Sequence, residues 1–170
     1  MSEKKSGWGK VGLIVALVFG VVVALSLPCI GVVAAIAIPA FVKYIKQTKT
    51  SEAGLNLKMM GDGVVAYYQD KGKLPPSAGP TPNMVPKGTQ VSVDADAWDA
   101  EGWKAIRFMV HKPVYYQYAM VNDGDTSMLS AKGDLDGDGV TSEFLVKIHV
   151  EDGEATVTPV YLKDIDRELE

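Results

Sequence analysis

The stretch Asp134–Glu143, DLDGDGVTSE, places Asp134, Asp136 and Asp138 at alternate positions, with Gly139 directly after them. Hard divalent cations prefer oxygen ligands. Carboxylates at the first, third and fifth places of a tight loop, with a glycine at the sixth to admit a sharp turn, form the opening half of a calcium loop. The closing half departs from that pattern, because Leu145 stands at the twelfth place instead of a glutamate. A non-standard closure would draw on the Val140 carbonyl, Ser142 and Glu143. The expected ion is calcium, held by Asp134, Asp136, Asp138, Val140 and Glu143. The competing reading is a solvated Asp-Gly turn held by side chain-to-backbone hydrogen bonds.

Other chemistry finds little support. His111 and His149 are far apart in sequence, and His149 falls on the polar face of an expected strand. The serines lack a nucleophile-elbow context and the glycines form no phosphate loop. Trp98 and Trp103, near Asp99 and Glu101, would suit a sugar or a partner but fit better as packing residues. No catalytic residue is assigned, and neither an enzyme nor a small-molecule substrate is expected. The net charge of −4 over 170 residues offers no basic face for nucleic acid. The single cysteine, Cys29, excludes an intrachain disulfide.

The elements that would position the aspartates can be read from periodicity. Ala53, Leu57, Met60, Val64 and Tyr68 recur every three or four residues, one stripe of an α-helix, with Leu55, Met59 and Val65 widening it. Gln47, Glu52, Asn56 and Lys58 are assigned to the opposite, polar face. Gly72 and Pro75 end the helix. Residues 71–113 read as a proline-rich loop with a short helical turn near Trp98–Phe108. Four strands follow: Val114–Val121, Thr126–Lys132, Phe144–Val150 and Ala155–Tyr161, with Pro159 marking the last as an edge. Phe144, Val146, Ile148 and Val150 share one face, opposed by Lys147 and His149. Short turns between strands make an antiparallel meander, and its apolar face needs the helix stripe to cover it. The fold expected is α+β, a long N-terminal helix packed on a small antiparallel sheet of about four strands. Residues 162–170 form an acidic tail.

The amphipathic helix, residues 43–70, continues an apolar one. After a short polar tail, residues 1–10, the run Val11–Val42 contains no charge. As a helix it would measure about 48 Å at 1.5 Å per residue, whereas the hydrocarbon core needs about 20 residues. A transmembrane segment over 11–42 is therefore expected. Lysines flank both ends, so the positive-inside rule does not orient it.

The segment GVVAAIAIPAFVKYIKQTKTSEAGLNLK, from Gly31, resembles the N-terminal helix of type IV pilins and type II secretion pseudopilins. It shares an apolar run ending in Ile-Pro-x-Phe, then Ser-Glu-Ala and Asn-Leu-Lys. YYQY at Tyr115–Tyr118 and AKGDLDGDGVTSEF at Ala131–Phe144 are similar to pilins with a short C-terminal sheet. The resemblance implies a structural subunit of a bacterial filament or secretion pseudopilus. Its apolar half-helix, with Gly31, Ala35, Pro39 and Phe41, would pack in the filament core. It further implies other pilin-like subunits and the envelope assembly machinery as partners. The location implied is the bacterial inner membrane, single-pass, with the domain in the periplasm or on a filament.

Family members carry a Gly before the cleaved leader bond, an aromatic residue after it and a Glu four residues later. Counting back from Pro39 puts that bond before Val18, where Leu17 and Val22 replace the Gly and the Glu. Gly7-Trp8 lies too early, with Gly12 in the Glu position. No processing site is assigned, and the chain is expected to keep its N-terminal lysines. The alternative expectation is a single-span protein whose domain binds a partner or calcium without polymerising.

Overall fold

The computed structural model describes residues 8–162, and within them leaves out the side-chain surroundings of residues 8, 10, 24–31, 33, 34 and 162. The chain divides into two compact units, residues 1–44 and 45–170. Helix α1, Trp8–Lys71, contributes residues to both. The helix starts earlier than expected, at Trp8. Its described apolar side chains in the first unit are exposed, among them Phe19, Ile36, Ile38 and Phe41. Among the described residues, no helix is long and apolar enough to cross a membrane. The uncharged run Val11–Val42 passes through the side chains left out above, so the expected span lies partly outside the described residues. The expected tails, 1–10 and 162–170, lie mostly outside them as well.

In the second unit, Ala53, Leu57, Met60 and Val64 are fully buried, as the stripe requires, and Tyr68 is half-buried. Leu55 and Met59 are instead exposed. Each residue advances about 100° round a helix, so Leu55 stands about 200° from Leu57 and faces solvent. By the same geometry Asn56 is buried and Glu52 half-buried, which corrects their assignment to the polar face.

The sheet is larger than the expected four strands. Strands β1 (Ala78–Thr81), β2 (Gln117–Asp123), β3 (Thr126–Gly133), β4 (Ser142–Glu151) and β5 (Glu154–Val157) lie in sequence order, all antiparallel. A sixth, β6 (Tyr161–Leu162), pairs with the start of β4. The extra strand, β1, comes from the proline-rich segment, where Gly79-Pro80 and Thr81-Pro82 are cis. Prolines cannot donate to a ladder, and β1 accordingly sits at an edge with an irregular register. The expected Ala155–Tyr161 strand splits into β5 and β6 around Pro159 for the same reason. Val114 meets Val91 in an isolated bridge rather than opening β2.

Two hairpins use the turn chemistry of their sequences. Gly124 takes φ +53° between β2 and β3, while Asp152 (+51°) and Gly153 (+80°) join β4 to β5 with both central residues left-handed. Phe144, Val146 and Ile148 of β4 are buried, and Lys147 and His149 are exposed. Leu57, Met60 and Val64 share one apolar core with Leu129, Phe144, Val146 and Ile148. A short 3-10 turn, Ala95–Trp98, and helix α2, Glu101–Ala105, close one side of that core. There Trp98 packs edge-on against Trp103 and Phe108, with ring centroids 5.6 and 5.4 Å away. Both tryptophans are buried, so they serve packing.

Candidate functional site

The aspartate loop joins β3 to β4. Its entrance is tight, because a Cβ at Gly133 would lie 2.7 Å from the Tyr116 ring. Two backbone bonds tie Asp134 to the proline-rich segment: Gly88 N–H donates to its carbonyl (2.7 Å) and its own N–H donates to the Pro86 carbonyl (3.2 Å). Asp134 is almost wholly buried. Its two carboxylate oxygens accept the N–H groups of Gly137 (2.7 Å) and Gly139 (3.0 Å). Both glycines have positive φ, +83° and +96°, so the chain can wrap round this carboxylate.

Asp136 and Asp138 are exposed. Asp138 accepts the Val140 N–H at 2.7 Å. Asp136 receives the Lys46 ammonium from α1 at 3.1 Å. Desolvation is the largest single influence on Asp136 and works against its charge, but the Lys46 hydrogen bond and charge together with the backbone N–H donors of the loop outweigh it and hold the carboxyl below the usual carboxylate range. Lys49 donates to the Leu135 carbonyl (3.4 Å), and its ammonium lies 4.7 Å from the Tyr115 ring centroid. The loop is therefore fastened at its root by backbone bonds and at its tip by two lysines of α1.

One oxygen each from Asp134, Asp136 and Asp138 lie within 4.8 Å of one another, so this group could hold a metal ion. Glu143 does not join it. That residue stands in β4 opposite Lys132. Val140 contributes its N–H to Asp138, and Ser142 Oγ donates to the Gly133 carbonyl (3.3 Å). The Asx-type bonds expected of a solvated turn are thus present beside the carboxylate cluster. Ala35, Pro39 and Phe41 of the resemblance lie exposed on α1, and Gly31 falls outside the described side chains. His149 Nδ1 lies 3.3 Å from Thr126 Oγ1 across two strands, and His111 is exposed elsewhere.

Sequence reasoning missed a polar contact next to the loop. Glu52 Oε1 accepts both the Tyr115 N–H (2.9 Å) and the Tyr118 hydroxyl (3.0 Å). Asn56 Nδ2 donates to that same hydroxyl at 2.7 Å. Burial pushes the Glu52 carboxyl up, against the pull of the backbone and hydroxyl donors. The available signal was spacing: Glu52 and Asn56 lie four apart, directly before Ala53 and Leu57 of the core stripe. Comparison with protein-family models, curated proteins and solved structures gave no match.

Proposed function

We propose that this chain is a pilin-like structural subunit, held in the bacterial envelope by the apolar part of α1 and assembling with other pilin-like subunits into a filament or secretion pseudopilus. The observation that carries this reading is the composition of α1. An uncharged run with exposed apolar side chains precedes, in one helix, the buried stripe of an α+β domain. Exposed side chains such as Phe19, Ile36 and Phe41 would be costly in water and are suited to lipid or to neighbouring helices. The Ile-Pro-x-Phe and Ser-Glu-Ala stretches add the resemblance. In this reading the domain is structural and carries no enzymatic site.

Fractionation of native cells tests it. The protein should resist extraction by salt, dissolve in detergent, and appear in sheared surface fibres at full-chain mass, allowing for loss of Met1. A salt-soluble protein would overturn the anchor, and a mass beginning at Trp8 or Val18 would overturn the expectation of no processing.

The aspartate cluster favours a second property, calcium binding at Asp134, Asp136 and Asp138. An exposed, incomplete loop of this kind binds weakly, on the order of 10⁻⁴–10⁻³ M, as in extracellular modules. Full-length protein should then melt higher in millimolar calcium than in chelator, with magnesium doing less. Asp136→Asn combined with Asp138→Asn should abolish the effect. A melting temperature indifferent to calcium would leave the loop a solvated turn. Membrane-bound protein that never enters fibres would favour the non-polymerising alternative.

A further inference from the structure

The last turns of α1 separate two surface clefts. Gly63, Tyr67 and Asp70 line one, together with Ala105, Ile106 and Arg107, enclosing about 290 Å³. Tyr68, Gln69 and Gly72 line the other, with Gly153, Glu154 and Ala155 of the β4–β5 turn, enclosing about 380 Å³. At about 100° per residue these two sets fall on opposite flanks of the helix, with Val64 turned to the core between them.

Arg107 marks the first flank. It follows the C-cap of α2 and stands at φ +54°, where glycine is the least costly residue. The cap itself uses only backbone, Arg107 N–H to the Lys104 carbonyl and Phe108 N–H to the Trp103 carbonyl. The arginine side chain is not what the cap requires. It is exposed and makes no ion pair among the described residues, although Asp70 lines the same cleft. Gly63 fixes its place. A Cβ there would lie 2.6 Å from the Ile106 carbonyl oxygen, so the end of α2 is seated directly on α1.

The other flank is acidic. Glu151, Asp152 and Glu154 are all exposed, and none has an ion-pair partner among the described residues. Asp152-Gly153 is what a turn with two left-handed residues favours. The glutamates are not so explained. Glu151 and Glu154 are cross-strand partners, and like charges placed opposite each other destabilise a hairpin.

We infer that these flanks meet between copies: the Arg107–Tyr67 cleft of one subunit receives the Glu151–Glu154 turn of the next. The guanidinium fork gains the carboxylates it pairs with best, and the opposed glutamates gain a cation. Because the two surfaces differ and lie on opposite flanks, the contact is heterologous and propagates from copy to copy. It rests on the filament reading above.

Full-length chain carrying Cys29→Ser, with Arg107→Cys and Glu154→Cys together, should on mild oxidation in native membranes give a ladder of dimers, trimers and higher species. Either cysteine alone should give none. Arg107→Gly suits the backbone there, so in detergent it should melt at or above the unaltered chain, yet its fibre yield should fall at least ten-fold. Arg107→Glu should fall likewise and recover when Glu151→Lys and Glu154→Lys are added. Fibres that form normally with Arg107→Gly, or without any crosslinked ladder, would overturn this contact and leave the subunit reading standing. A lowered melting temperature for Arg107→Gly would show that the side chain serves the fold. Failure of the unaltered chain to form fibres would overturn both.

Discussion

Glu52 holds helix to strand through one carboxylate oxygen that accepts from Tyr115 and Tyr118, and its position makes a pH prediction possible. Burial raises its folded pKa above the ordinary value of 4.5. Between the unfolded and folded values the folded chain therefore binds more protons. The contribution of this group is fully present below the unfolded value and is lost as pH rises through the folded one. Glu52→Gln keeps an oxygen for both donors but cannot ionise. The melting temperature of the variant relative to the unaltered chain should rise as pH is raised from below the ordinary value of 4.5 through the folded one. A constant difference across that range would remove Glu52 from the pH response. At this same scale, the types and spacing of the three aspartates were legible in the sequence. Lys46 on Asp136 was not, because residues ninety apart in the chain meet only after the helix docks on the sheet.

At the scale of elements, the buried stripe and the alternation of β4 were readable because each follows one fixed period. Strand β1 and the break between β5 and β6 were not, since prolines set them and their pairing depends on which edge of the sheet is free. Leu57 is fully buried against β3 and β4, so Leu57→Ala should cost about 2–5 kcal/mol by denaturant unfolding. A neutral result would mean the helix does not cover the sheet. Two glycines of α1 should respond in opposite directions. Gly54 has nothing within 4 Å of an added Cβ, so Gly54→Ala should stabilise by about 0.5–1 kcal/mol through helix propensity. Gly63→Ala gains the same propensity but drives a methyl into the Ile106 backbone, and should destabilise by about 1–3 kcal/mol net. If both substitutions stabilise, α2 is not seated on α1 as described.

At the scale of the whole chain, the division at residue 45 makes a prediction about independence. Among the described residues, the apolar core of the second unit draws on residues from Ala53 onward. A fragment of residues 45–170 should therefore be folded in water without detergent, with a cooperative melting transition. A second fragment, beginning at Thr50, keeps the core and Glu52 but loses two contacts to the aspartate loop. These are the Lys46–Asp136 ion pair and the Lys49 ammonium that bonds the Leu135 carbonyl and covers the Tyr115 ring. Partly exposed ion pairs contribute about 0.2–1 kcal/mol and a cation over an aromatic ring about 0.5–1 kcal/mol. The shorter fragment should thus remain folded but melt a few degrees lower. The gap should narrow at high salt, where screening weakens the Lys46 pair in the longer fragment. An unfolded 45–170 fragment would mean that the first unit supports the domain. Fragments of equal stability would mean that the lysines do not fasten the loop, and that its geometry comes from Asp134 and its two glycine N–H donors alone.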